Sequence, residues 1–192
     1  MPFLPWFRAI IFSLATLLGL AVLAICAHIE YKISGIDGIY LSFAALGLAA
    51  GAVTAVSMPL FLILGRLKTK VFTSMIVFEI VWGFLLWVFW IATAGDSAAA
   101  KAYYFTEGCI YGSTETNQLC YEFTVVEALS FIIFFSVFVY YDTLVLYSII
   151  NTIRGRGVWT STVYEASTAP VQIVGVPMTQ YVPVAAPQGQ PQ

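Results

Sequence analysis

The chain has 192 residues, of which 60% are hydrophobic and 9% charged, with a formal net charge of -2. An ordinary soluble domain carries about 25% charged residues, so this composition excludes a fully water-facing surface and suits a lipid-facing one. It also excludes a nucleic-acid-binding surface, since no basic stripe exists and the densest basic cluster is Arg66, Lys68 and Lys70.

Charged residues are sparse enough to mark the elements. An uncharged apolar run between Arg8 and Glu30 predicts a first span over 9–29, and a second lies between Asp37 and Arg66, over 39–64. A third, over 71–94, is interrupted only by Glu79. The fourth, over 123–150, contains Glu127 and Asp142, and its apolar run reaches Ile153. Each can cross about 30 Å of hydrocarbon at 1.5 Å per residue, and the fourth has length to spare for tilt or projection. Ala24 and Ala27 imitate a signal-peptide cleavage site, but the first run exceeds the usual apolar core of about 7–15 residues, so a retained helix is expected. The predicted fold is an all-α, integral membrane four-helix transmembrane bundle over residues 1–155, followed by a tail over 156–192.

If the spans alternate, Arg8, Arg66, Lys68, Lys70, Arg154 and Arg156 share one side, leaving Lys32 and Lys101 on the other. Basic residues near span ends are retained in the cytosol, which predicts cytosolic termini. Trp6, Phe7, Tyr40, Trp87 and Trp90 are expected near the interfaces, where amphipathic rings are favoured.

The segment from Asp96 to Glu122 reads as the one sizeable outer loop, and it holds Cys109 and Cys120. Thiols facing an oxidising compartment predict a disulfide; two free or metal-bound cysteines are the alternative, although no His or third Cys accompanies them. No metal site or cofactor is expected. His28 reads as an interfacial polar residue and Cys26 as a small packing residue.

Gly47, Gly51 and Ala55 recur at intervals of four on the second span. Small residues at that spacing let another backbone approach closely, and Ala15 and Gly19 on the first span offer a partner surface. Packing within the chain is preferred, with a neighbouring copy, and so a homo-oligomer, as the alternative. Pro59 is expected to bend this helix.

Glu79, Glu127 and Asp142 are ionisable groups within predicted spans. Measured from the cytosolic ends, Glu79 lies about 12 Å and Asp142 about 16 Å deep, so the two could share one polar layer. Such groups either hydrogen-bond neighbouring helices or mark an ion path. With no basic counter-charge, broken-helix pair or inverted repeat apparent, the packing role is preferred, and an amide at either position is expected to leave folding largely intact. Glu127, near the outer interface, can reach water.

After Glu165 the tail has no charged residue, and Pro170, Pro177, Pro183, Pro187 and Pro191 oppose a long helix. Tyr181 to Val184 has the tyrosine-x-x-apolar form of a sorting motif. Thr160, Ser161 and Thr162 follow two arginines, a setting for phosphorylation. Patterns this short also arise by chance in such a tail.

Four spans, a short basic second loop, and an outer cysteine pair leading into CYEFTVVEALSFIIFFSVFVYYDTLVLYSI resemble the MARVEL-domain family, most nearly its small fungal members, over residues 5–155 and with Arg8 opening the first span. The Cys-Cys-Gly motif of tetraspanins is absent, and the first outer loop is too short for a claudin signature. The resemblance implies a non-enzymatic protein of the plasma membrane or of secretory or endosomal vesicles. Its implied partners are membrane lipids, including sterol- or sphingolipid-rich domains, other membrane proteins, and cytosolic factors recruited by the tail. No catalytic constellation argues otherwise. The alternatives are a small ion or proton-coupled transporter or channel using the intramembrane carboxylates, and an adhesion component acting through the cysteine loop.

Overall fold

A computed structural model of the chain describes residues 3–34, 41–66, 76–106, 108–154 and 159. Tyr40, Lys68, Lys70, Arg156, the Thr160 to Thr162 cluster and the Tyr181 and Val184 motif lie outside the described residues. Among those described, the chain forms four helices: α1 (Phe3–Ile33), α2 (Ser42–Arg66), α3 (Ile76–Tyr104) and α4 (Thr114–Ile153). All four are long and apolar enough to cross a membrane, and the protein is a multi-pass membrane four-helix bundle.

The inward positions explain the packing. On α1 they are Phe12, Ala15, Gly19, Val22, Cys26 and Ile29; on α3, Glu79, Gly83, Leu86, Trp90, Thr93 and Ser97. Steps alternating three and four residues average 3.5, the period at which helices wrap each other at a shallow left-handed angle. Outward positions carry Ile10, Leu14 and Leu17 on α1 and Ile132, Phe135 and Val139 on α4. A soluble bundle would place polar side chains there, whereas hydrocarbon requires apolar ones.

Gly47 and Gly51 bring α2 against α1. A Cβ added at Gly51 would stand 2.9 Å from the Gly19 carbonyl oxygen and 2.9 Å from Leu23 Cβ, and one at Gly47 would stand 2.6 Å from Cys26 Sγ. The close approach is therefore made within one chain, and Cys26 packs into it. Ala55 is only half-buried; the α2 seam continues through Thr54 and Met58, both buried, because the 3.5-residue period drifts off a strict interval of four. Pro59 does not end α2, which runs on to Arg66.

Two expectations are corrected. The segment from Asp96 to Glu122 is mostly helical, since α3 continues to Tyr104 and α4 starts at Thr114, leaving only 105–113 as connection. Charges mark where hydrocarbon ends, not where a helix ends: the Ala98 to Ala100 run favours helix, and Ser113 Oγ caps α4 by accepting from Thr116 N–H at 3.1 Å. Gly108 turns the connection with a φ of 80°, the region where a Cβ is penalised. The longer α3 also moves Trp90 from the interface to the middle of the helix, where it is fully buried and donates its indole N–H to Thr54 Oγ1 at 3.1 Å.

Candidate functional site

The seam that places Phe12 and Ala15 inward also carries Arg8 inward, one turn earlier on α1. Glu79 lies in the first turn of α3, where the helix dipole favours an acidic group. The two side chains form an ion pair, with side-chain exposures of 8% for Arg8 and 1% for Glu79. Arg8 Nη2 also donates to the Phe61 carbonyl of α2 at 2.9 Å, and Tyr140 of α4 donates its hydroxyl to Glu79 Oε2 at 2.8 Å. Each helix thus contributes one group to a single buried node.

The surroundings are fitted to this node. A Cβ at Gly65 would stand 2.5 Å from Arg8 Nη1, so the glycine makes room for the guanidinium. Arg8 lies 5.4 Å from the centroid of the Phe12 ring, within cation–π range, and Tyr140 meets that ring edge-on at 5.0 Å. Beside Glu79 and Tyr140 is a cavity of about 10 Å³, lined also by Phe12, Met58 and Phe61. That is about the room one water needs.

The expected layer of Glu79 with Asp142 is replaced by a carboxylate, a guanidinium and a phenol. Asp142 is half-buried, and it sits two positions beyond Tyr140, a rotation of about 200° around α4. Tyr140 therefore faces Glu79 and Asp142 does not. The basic counter-charge missing from the sequence argument is Arg8. Treating Arg8 as a boundary marker concealed it, whereas its phase in the α1 seam would have revealed it.

A second polar layer occupies the opposite end. Cys109 and Cys120 form a disulfide with Cα atoms 5.5 Å apart, tying the connection to α4. Asn117 reinforces the tie by accepting from Tyr111 N–H at 2.7 Å and donating to the Tyr111 carbonyl at 2.9 Å. His28 Nδ1 lies 3.1 Å from Glu122 Oε1, Lys101 Nζ lies 3.5 Å from Glu127 Oε2, and Ser42 donates to Asp96 Oδ2 at 2.6 Å. His28 and Glu127 are therefore paired across helices rather than merely solvated. Among the described residues no three His, Cys, Asp or Glu side chains gather to hold a metal ion.

The spacing of these layers matches a bilayer. From Arg8 to His28 the rise along α1 is about 30 Å, the thickness of the hydrocarbon core. No Asp, Glu, Lys or Arg lies between 9 and 27 on α1, 43 and 65 on α2, 80 and 95 on α3, or 128 and 141 on α4. Comparison of the chain with protein-family models, with curated proteins and with solved structures finds no match.

Proposed function

We propose that the protein is a non-enzymatic membrane organiser of the MARVEL type, acting in membrane microdomains or in vesicle trafficking through its bundle and tail. The observation that carries this reading is the confinement of charge, among the described residues of the four helices, to two polar layers, with an interior of close-packed side chains such as Trp90, Phe43, Leu86 and Ile133 between them. An organiser needs a stable lipid-facing surface and no polar route across the bilayer. On this reading both termini are cytosolic, and the protein resides in the plasma membrane or in secretory or endosomal vesicles. Its partners are lipids, other membrane proteins or further copies of itself, while the tail recruits cytosolic factors.

The competing reading, a small ion or proton-coupled transporter, draws on the cavity beside Glu79 and Tyr140. Flux measurements on purified protein in liposomes separate the two. Proton and cation permeability equal to that of protein-free vesicles is expected; protein-dependent flux would replace the organising role with transport. Proximity labelling from the tail in intact cells should then enrich membrane-trafficking proteins, and labelling confined to a non-secretory organelle would contradict the proposed location.

A further inference from the structure

A groove of about 540 Å³ opens between α1 and α4 at the disulfide end of the bundle. Ile25 and Val125 line it towards the apolar belt, and Gln118, Tyr121 and Glu122 line it towards the connecting segment. One end of the groove therefore suits an acyl chain and the other a headgroup. It lies at the level of His28, about 30 Å along α1 from Arg8, where a bilayer passes from hydrocarbon to headgroups.

Lys101 pairs with Glu127 at this end, but Lys32 and Glu122 are not paired with each other. Lys32 Nζ meets the neutral amide of Gln118, with its Oε1 at 3.4 Å. The same amide donates from Nε2 to Glu122 Oε1 at 3.0 Å. A cation and an anion are thus held one side-chain amide apart, a separation that the phosphate and ammonium of one lipid headgroup can span. Glu122 lines the groove and is not neutralised by a permanent cation, since its ion-pair partner, His28, is charged only when protonated. A carboxylate favours a primary ammonium, which has three N–H donors, over a quaternary one, which has none. Tyr121, 60% exposed, also lines the groove.

We propose that this groove is a binding site for an ethanolamine phospholipid. Its ammonium binds Glu122, its phosphate meets Lys32, and an acyl chain lies along Ile25 and Val125. The site requires only that the chain span a bilayer, and it stands or falls separately from the organising role.

The test is native mass spectrometry of the purified full-length protein in detergent, with ethanolamine, choline and glycerol phospholipids of identical acyl chains offered in equal amounts. The ethanolamine lipid is expected to be retained at least fivefold over the other two. Glu122→Gln should remove that preference, and Lys32→Gln should lower retention of all three lipids, which share the phosphate. Val125→Trp, which fills the groove while leaving every charge in place, should lower retention of all three lipids and remains informative if a charge variant fails to fold. Equal retention of the three lipids, preference for the choline or glycerol lipid, or unchanged ethanolamine-lipid retention in any folded variant overturns the proposal.

Discussion

Arg8 of α1 and Glu79 of α3 pair inside the bundle, and among the described residues neither has a second ion-pair partner. Their node also engages the Phe61 carbonyl and the Tyr140 hydroxyl, so it ties all four helices together near one end. Burying two charges is costly, and a pair of this kind adds less to net stability than it does to specifying which helices meet.

The first prediction follows from that asymmetry. Glu79→Gln leaves the Arg8 guanidinium without its counter-ion, and loss of one partner from a buried pair typically costs about 3–5 kcal/mol. The melting temperature in detergent should fall sharply for Glu79→Gln and for Arg8→Met, and should largely recover in the Arg8→Met, Glu79→Leu double variant. Asp142→Asn should leave it unchanged. This reverses, for Glu79, the expectation drawn from sequence that an amide would be tolerated.

The helix contact at Gly51 is made against backbone, which cannot swing aside as a flexible side chain can. Gly51→Ala must separate α1 from α2 and should destabilise by about 1–3 kcal/mol. Gly95→Ala is the contrasting case, because nothing lies within 4 Å of the added Cβ. Its effect should be neutral, or stabilising by about 0.5–1 kcal/mol through helix propensity. Thermal unfolding of the two variants under one detergent condition measures the difference.

Reduction should act on one end of the molecule. Peptide mapping without reductant should recover Cys109 linked to Cys120, with Cys26 as a free thiol protected from labelling by its burial. Cys109→Ser should lower stability by about 2–4 kcal/mol and speed proteolysis within 105–113. Recovery of both thiols free from the native membrane would contradict the structure.

Thr54→Val removes the acceptor for the Trp90 indole and leaves a buried N–H unpaired, at a cost of about 1–3 kcal/mol. In combination with Trp90→Phe the same substitution should cost less than it does alone, because the donor is gone. Additive losses would show that the 3.1 Å contact contributes nothing.

Much of this molecule was legible in its sequence because the bilayer imposes a simple rule. Apolar runs bounded by charges had to become helices, and the small residues at Gly47 and Gly51 had to mark a close approach. The Cys109 and Cys120 pair was likewise legible, since no His or third Cys accompanies it in its segment. Helix ends were less so, since α3 and α4 extend past the charges taken as their limits into a region where water can satisfy those charges.

The number of helices, their outward apolar character and the cysteine pair are thus consequences of solvation and local chemistry, and can be read along the chain. Which side chains meet cannot. Arg8 became the partner of Glu79, Trp90 moved to the centre, and Asp142 turned away, because each outcome depends on the rotational phase of four helices packed at once. A change of two residues along a helix turns a side chain by about 200°, and composition carries no record of that angle.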